Sequence, residues 1–396
     1  MSFVFLLLNG VGLYIFFYLK TKDILNPFSL FLIIWFTVSG LACIHLSNLQ
    51  TKWNLEMYAV VCLSGYSIAL VGIVKTSGKQ NNFWYNQKSF NINVVYKALT
   101  KLIFFCALYC AFLEWREQNY LLPGLLSNQF IGDAKDLVVA LKGIHYGAYL
   151  LPYCSVFSFF ELIYDENKRV KENIYNIFVI LIGIFYSYAV IISRGTLLDM
   201  AIAFLLIYHS KYKIKPKMLI ILLIVLLTGF VIISQMRLNE GSLVFNAISQ
   251  NSTFSSIYTY LTFGYQNLLQ LINKGSPYTL VIYTFKPILY FWNLNIENYF
   301  INYTLMFFNS KTFLYGFYHD LGLIGIIVYP MLIFSFIGVI YKKAKEYPSY
   351  ILLLALLQKA IYMSFFGNYF TGEFIIMWPY IITVVLIWVL QKNVEK

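Results

Sequence analysis

Apolar runs of roughly twenty residues, almost free of charge, recur along nearly the whole chain, and this constrains the fold more than any other feature. A helix crossing a hydrocarbon core needs ~20 mostly apolar residues. Ser2–Leu19, Pro27–Leu46, Leu55–Val74, Val94–Trp115, Tyr146–Tyr164, Ile174–Ile192, Met218–Ser234, Tyr315–Tyr341, Ser349–Phe366 and Phe374–Leu390 meet or approach that length. Of 396 residues, 60% are apolar and only 12% charged, too little charge to cover a water-soluble fold. A soluble enzyme, a disordered tail and a disulfide-stapled secreted domain are excluded. The expectation is an all-α integral membrane protein, with 34 Tyr and 36 Phe supplying interfacial belts.

An eleventh span is expected over Thr196–Ser210, joined to its predecessor only by Ser193-Arg194-Gly195. As one helix, Ile174–Ser210 would run about 55 Å, far beyond a hydrocarbon core of about 30 Å. The chain must therefore reverse near Arg194, and Gly195 makes such a turn cheap. No basic segment precedes the first run and Asn9-Gly10 interrupts it, so it reads as a retained span rather than a signal peptide.

Eleven spans make the connecting charges alternate. Lys20/Lys22, Lys75/Lys79/Lys88, Lys168/Arg169/Lys171, Lys211/Lys213/Lys215/Lys217, Lys342/Lys343/Lys345 and Lys392/Lys396 fall on one side. Clustered positive charge marks the cytoplasmic face, which puts the N-terminus outside and the C-terminus inside a single polytopic domain, 1–396. The net charge of +12 is thus spent on topology, and it forms no continuous patch for nucleic acid. The five cysteines lie within apolar runs and read as core residues, with no disulfide expected between Cys106 and Cys110, one helical turn apart.

Most connections are short, but 235–314, between spans eight and nine, is an exterior loop of about eighty residues, a length that usually carries function. Within it, Tyr278–Trp292 is apolar but short and interrupted by Lys286-Pro287, so it is expected to be re-entrant or interfacial. Upstream, Ile257, Leu261, Leu268 and Ile272 recur at helical spacing opposite Thr259, Gln266, Gln270 and Asn273, which predicts an amphipathic helix on the membrane surface.

Charges at the outer ends of spans call for individual reading, because they are costly in lipid. Arg194 reads either as an interfacial anchor paired with Asp199 or as an anion clamp, its guanidinium fork matching phosphate oxygens beside free helix amides. Arg237, in Gln235-Met236-Arg237-Leu238-Asn239-Glu240, reads as a snorkelling arginine or as a second contact to the same anion. His319-Asp320 is the one adjacent His/Asp pair, read as an interfacial pair or as a general base with a carboxylate to set its charge. Neighbours on a helix point about 100° apart, so direct orientation of His319 by Asp320 is not assured. Lys359 reads as reaching water or a buried carboxylate such as Asp199, or as another diphosphate contact. His45, His145 and His209 have no metal-ligand spacing, and neither a metal nor a cofactor is expected.

The many-span layout, the Ser193-Arg194-Gly195 turn, the arginine beyond a later span and the long loop ending in His319-Asp320-Leu321-Gly322 resemble a Wzy-type O-antigen or capsule repeat-unit polymerase, within the O-antigen polymerase and ligase superfamily. The resemblance covers roughly Tyr146 to Tyr341 in pattern. It implies a GT-C-like fold and an inverting, metal-independent glycosyltransferase of the bacterial inner membrane. Donor and acceptor would both be glycans on undecaprenyl diphosphate, with a chain-length-regulating co-polymerase as a further partner. Arg194 and Arg237 would hold the diphosphate, His319 would be the base and Asp320 would tune it. Asp199, Glu240 and Lys359 would support the site, and Tyr258, Tyr260, Tyr265, Tyr290 and Trp292 would offer faces to sugar or form an interfacial belt. An O-antigen ligase transferring glycan to lipid A core, or a lipid-linked oligosaccharide flippase, are the alternatives.

Overall fold

A computed structural model of the chain describes residues 2–47, 49–77, 89–125, 138–167, 169–212, 214, 217, 252–292, 310–372 and 374–391. Its helices are α1 (Ser2–Thr21), α2 (Pro27–Ala42), α3 (Leu55–Lys75), α4 (Val94–Glu117), α5 (Ile144–Ala148), α6 (Leu151–Tyr164) and α7 (Val170–Phe185). They continue with α8 (Arg194–Lys211), α9 (Ser252–Lys274), α10 (Ile282–Phe291), α11 (Leu314–Glu346), α12 (Tyr350–Tyr362) and α13 (Phe374–Gln391). Among the described residues there is no strand, only one isolated bridge between Phe90 and Asp165. Among the described residues, six helical segments are long and apolar enough to cross a membrane: α1, α3, α4, Ile144–Tyr164, Val170–Val190 and α11. The chain is a helical, multi-pass membrane protein. Of the expected spans, Met218–Ser234 lies outside the described residues, and each of the others falls on a helix.

Short polar links set where these helices start. Asn26 accepts from the Phe28 and Ser29 amides at 2.9 and 3.2 Å, ahead of Pro27 at the first helical position. Asn54 caps Met57 at 2.8 Å and Asn93 caps Tyr96 at 2.6 Å. Each closes amides that would otherwise go unsatisfied at a helix end.

The chain divides into two compact units. One comprises Met1–Asn82, Leu243–Lys343 and Ala360–Met377; the other comprises Phe83–Ser242, Ala344–Lys359 and Trp378–Lys396. The first is built on aromatic packing, with Phe31 at 5.7 Å from Trp35, 5.4 Å from Phe313 and 4.7 Å from Phe334, ring centre to ring centre. In the second, Phe104, Leu151, Cys154, Val179 and Tyr186 share a buried core.

Two expectations are corrected here. The break before Arg194 does not use Gly195, which sits in the first turn of α8. A π-helical turn, Tyr186–Val190, ends α7; Ile192 takes the left-handed conformation (φ 47°), and Ser193 then caps the Thr196 amide at 3.3 Å. Nor does α9 lie on a surface. Thr259, Thr262, Gln266 and Asn267 are buried, and the polar side of the helix is satisfied by protein: Gln266 accepts from the Thr51 amide at 3.2 Å and donates to its hydroxyl at 2.8 Å. Amphipathic spacing defines a polar face; here that face meets the 46–54 segment.

Candidate functional site

In the first unit, α11 is broken early. Gly322 has φ 58° and ψ −136°, a conformation essentially reserved for glycine. A break removes the i+4 amides that the preceding carbonyls would accept from. Those of His319 and Asp320 are taken up instead by the segment before α10: Ser276 Oγ donates to the His319 carbonyl at 3.0 Å, and the Leu280 amide to that of Asp320 at 3.1 Å. The incoming segment is itself bent, with left-handed φ at Tyr278 (50°) and Leu280 (59°). Such strain persists only where the surroundings over-determine it.

The same segment explains Asp320. Helix α10 is preceded by Val281, whose side chain has no acceptor to cap its first amides. Asp320 supplies the cap from α11. Its Oδ1 accepts from the Tyr283 amide at 2.9 Å and from Thr279 Oγ1 at 2.6 Å. Its Oδ2 accepts from the Thr284 amide at 2.8 Å and from Thr284 Oγ1 at 2.5 Å. Both oxygens are therefore occupied in holding α10.

His319 is fully buried beside it. Its Nδ1 lies 2.9 Å from Thr279 Oγ1, so Asp320 meets His319 through the threonine and not directly. Nε2 is buried with no hydrogen-bond partner among the described residues. The Tyr283 ring packs on the imidazole, centres 4.5 Å apart. Lys311 Nζ donates to the Tyr283 hydroxyl at 2.8 Å and stands over the Tyr315 ring at 4.6 Å, with Lys286 5.9 Å from the Tyr283 ring centre. Burial first, and the Lys286 ammonium second, hold Lys311 down to about 8. Burial, then Tyr315 and Asp320, push the Tyr283 phenol up. Next to His319, Tyr318 donates to Glu56 at 2.7 Å and anchors this end of α11 to the start of α3. The imidazole thus has Nδ1 held and Nε2 buried without a partner among the described residues, and the nearby lysine favours its neutral form.

The second unit holds its own buried polar group. Lys359 Nζ lies 2.5 Å from Asp199 Oδ2, and Tyr153 donates to the same oxygen at 3.4 Å. Asp199 Oδ1 and both polar atoms of Gln358 are buried without a partner among the described residues. In the same unit, Glu114 accepts from His145 Nδ1 at 2.9 Å, from the Leu141 amide at 3.0 Å and from Tyr186 at 3.2 Å.

Of the residues expected in the site, His319 and Asp320 are brought together through Thr279, and Asp199 and Lys359 form the ion pair. Arg194 is the first residue of α8; its side chain, and Arg237 and Glu240 entirely, lie outside the described residues. Tyr258 and Tyr265 are core residues. Tyr258 donates to Gln50 at 2.9 Å, and the fully buried Tyr265 ring is packed against Trp35 at 5.1 Å and Trp53 at 5.9 Å, leaving no open face for sugar. Tyr260 stacks on Phe366 at 4.3 Å, whereas Trp292 is exposed; the Tyr290 side chain lies outside the described residues. Thr279, Tyr283 and Lys311 were not singled out by sequence. The one available signal was the missing acceptor at Val281, which says that the cap of α10 comes from elsewhere. Comparisons with protein families, with curated proteins and with solved structures returned no match.

Proposed function

We propose that the chain is a repeat-unit polymerase of the Wzy type, joining undecaprenyl-diphosphate-linked oligosaccharides at the exterior face of the bacterial inner membrane. The observation that carries this reading is His319, buried, held at Nδ1 and with no partner at Nε2 among the described residues, at the end of the loop that the sequence resemblance points to. In the reaction, a sugar hydroxyl of the acceptor attacks the anomeric carbon of the donor from the face opposite the diphosphate. The carbon–oxygen bond to phosphate breaks, its electron pair leaves with undecaprenyl diphosphate, and His319 Nε2 takes the hydroxyl proton. Configuration inverts and no metal is required.

Arg194 and Arg237 are assigned to the diphosphate, where paired guanidinium groups would stabilise charge developing on the leaving group. This assignment rests on the resemblance and on Arg194 opening α8, where helix amides favour an anion. Asp199 and Lys359 belong to the supporting structure, since each neutralises the other. Eleven spans, a GT-C-like arrangement, an outside N-terminus, a cytoplasmic C-terminus and a co-polymerase partner complete the reading.

Complementation tests it. A strain lacking the protein should carry single-repeat glycans, and the wild-type chain should restore the ladder. Arg194→Ala, Arg237→Ala and His319→Ala should each reach the membrane at normal level yet leave single repeats. Full ladders from both arginine variants would remove the diphosphate assignment. Loss of all exterior glycan in the null strain would identify a flippase, and a ladder that forms on the carrier but never reaches lipid A core would identify a ligase.

A further inference from the structure

Thr279 stands between the two residues of the His/Asp pair, and its single hydroxyl proton decides what each can do. The Tyr283 and Thr284 amides can only donate, and each points at one oxygen of Asp320. Both oxygens are thereby set as acceptors, and Thr279 Oγ1 donates its proton to Oδ1 at 2.6 Å. Having spent that proton, Oγ1 can only accept from His319 Nδ1, 2.9 Å away. Nδ1 must then carry a hydrogen. In the neutral ring, Nε2 is the bare nitrogen, and Nε2 is the atom buried without a partner among the described residues.

We propose that Thr279 is a positioning residue that relays the Asp320 carboxylate to His319 and fixes the imidazole as its Nδ1–H tautomer, so that Nε2 is the proton-accepting atom offered to the acceptor hydroxyl. The backbone supports the relay from both ends. Ser276 holds the His319 carbonyl, Leu280 holds the Asp320 carbonyl, and the left-handed residues Tyr278 and Leu280 flank Thr279. The hydroxyl is thus placed by backbone on either side of it, and the Tyr283 ring at 4.5 Å limits rotation of the imidazole. A threonine here does what a directly bonded carboxylate does elsewhere, at one remove. Asp320 is left free to cap α10 with the same two oxygens. The tautomer assignment stands on the hydrogen bonds alone; its catalytic consequence rests on the polymerase reading.

The test is nitrogen NMR of full-length protein in detergent micelles, labelled with 15N-histidine. The chain has only four histidines, and His319→Gln identifies the resonances of interest. Wild type should show a protonated Nδ1 and a bare Nε2 at His319. Thr279→Ser should keep that pattern, and Thr279→Val should lose it to a mixture of tautomers. A protonated Nε2 in wild type, or an unchanged pattern in Thr279→Val, would overturn the proposal. In repeat-unit turnover, Thr279→Val should lower kcat about 100-fold, in the range of a general-base contribution, with KM little changed and Thr279→Ser restoring most of it. Equal turnover by Thr279→Val and wild type would also overturn it. Full turnover by His319→Gln would instead remove His319 as base, and so the polymerase mechanism, while the NMR result continued to decide the tautomer.

Discussion

Lys359 on α12 and Asp199 on α8 lie 2.5 Å apart, nitrogen to oxygen, with both side chains at least nine-tenths buried. Two charges withdrawn from solvent in this way hold each other in place but add little net stability, because desolvation offsets their attraction. Removing one leaves the other uncompensated. Lys359→Met or Asp199→Leu alone should destabilise the protein by about 3–5 kcal/mol, and the Asp199→Leu/Lys359→Met double variant should recover most of that loss. Thermal unfolding in detergent, read as a double-mutant cycle, checks this. Additive losses in the double variant would mean the pair is not coupled.

Gly322 should tolerate no side chain. A Cβ there would enter a left-handed backbone conformation and meet the Tyr278 ring at 3.1 Å. Gly322→Ala should cost about 1–3 kcal/mol from the backbone alone. Gly12→Ala, inside α1 and with no described atom within 4 Å of a built Cβ, is the control and should be neutral or gain about 0.5–1 kcal/mol. The same unfolding measurement separates them.

Asp320→Ala should uncap α10 without unfolding α11. Loss of a cap of this kind costs about 1–2 kcal/mol, and the effect should be local. Hydrogen exchange at the Tyr283 and Thr284 amides should accelerate, while amides in the later turns of α11 keep their protection. Asp320→Asn retains one accepting oxygen and should fall between the two.

Lys311 makes stability depend on alkaline pH. Its pKa is held down to about 8 in the folded protein, below its ordinary 10.5. Between those values the unfolded chain binds more protons than the folded one, so stability rises as pH increases through that window. Wild type should therefore gain stability relative to Lys311→Met between about pH 8 and 10.5. A constant difference between the two across that range would show that burial leaves the lysine unperturbed.

The helices were legible because apolar length is a one-dimensional property, written locally in residues such as Leu55–Val74 and Val94–Trp115. The His319-Asp320 pair was legible as chemistry, since adjacent complementary groups stand out in an apolar chain. Their link was not. Thr279 is forty positions from His319, and only the folded chain brings its hydroxyl between the two. Periodicity gave α9 a polar face, but Gln266 is satisfied as well by Thr51 as it would be by water, and spacing does not distinguish those partners. The break before α8 lies where the expected turn does, but Ile192 makes it and Gly195 does not. Ile192, β-branched and left-handed, is a conformation that local preference argues against and tertiary structure imposes.

Asp320 also sets an order of events. The amides it closes belong to residues up to thirty-seven positions earlier in the chain, so they leave the ribosome well before it does. During synthesis the start of α10 must wait, uncapped, until the downstream aspartate has been translated. This corner of the molecule is therefore completed backwards, the later segment finishing the earlier one.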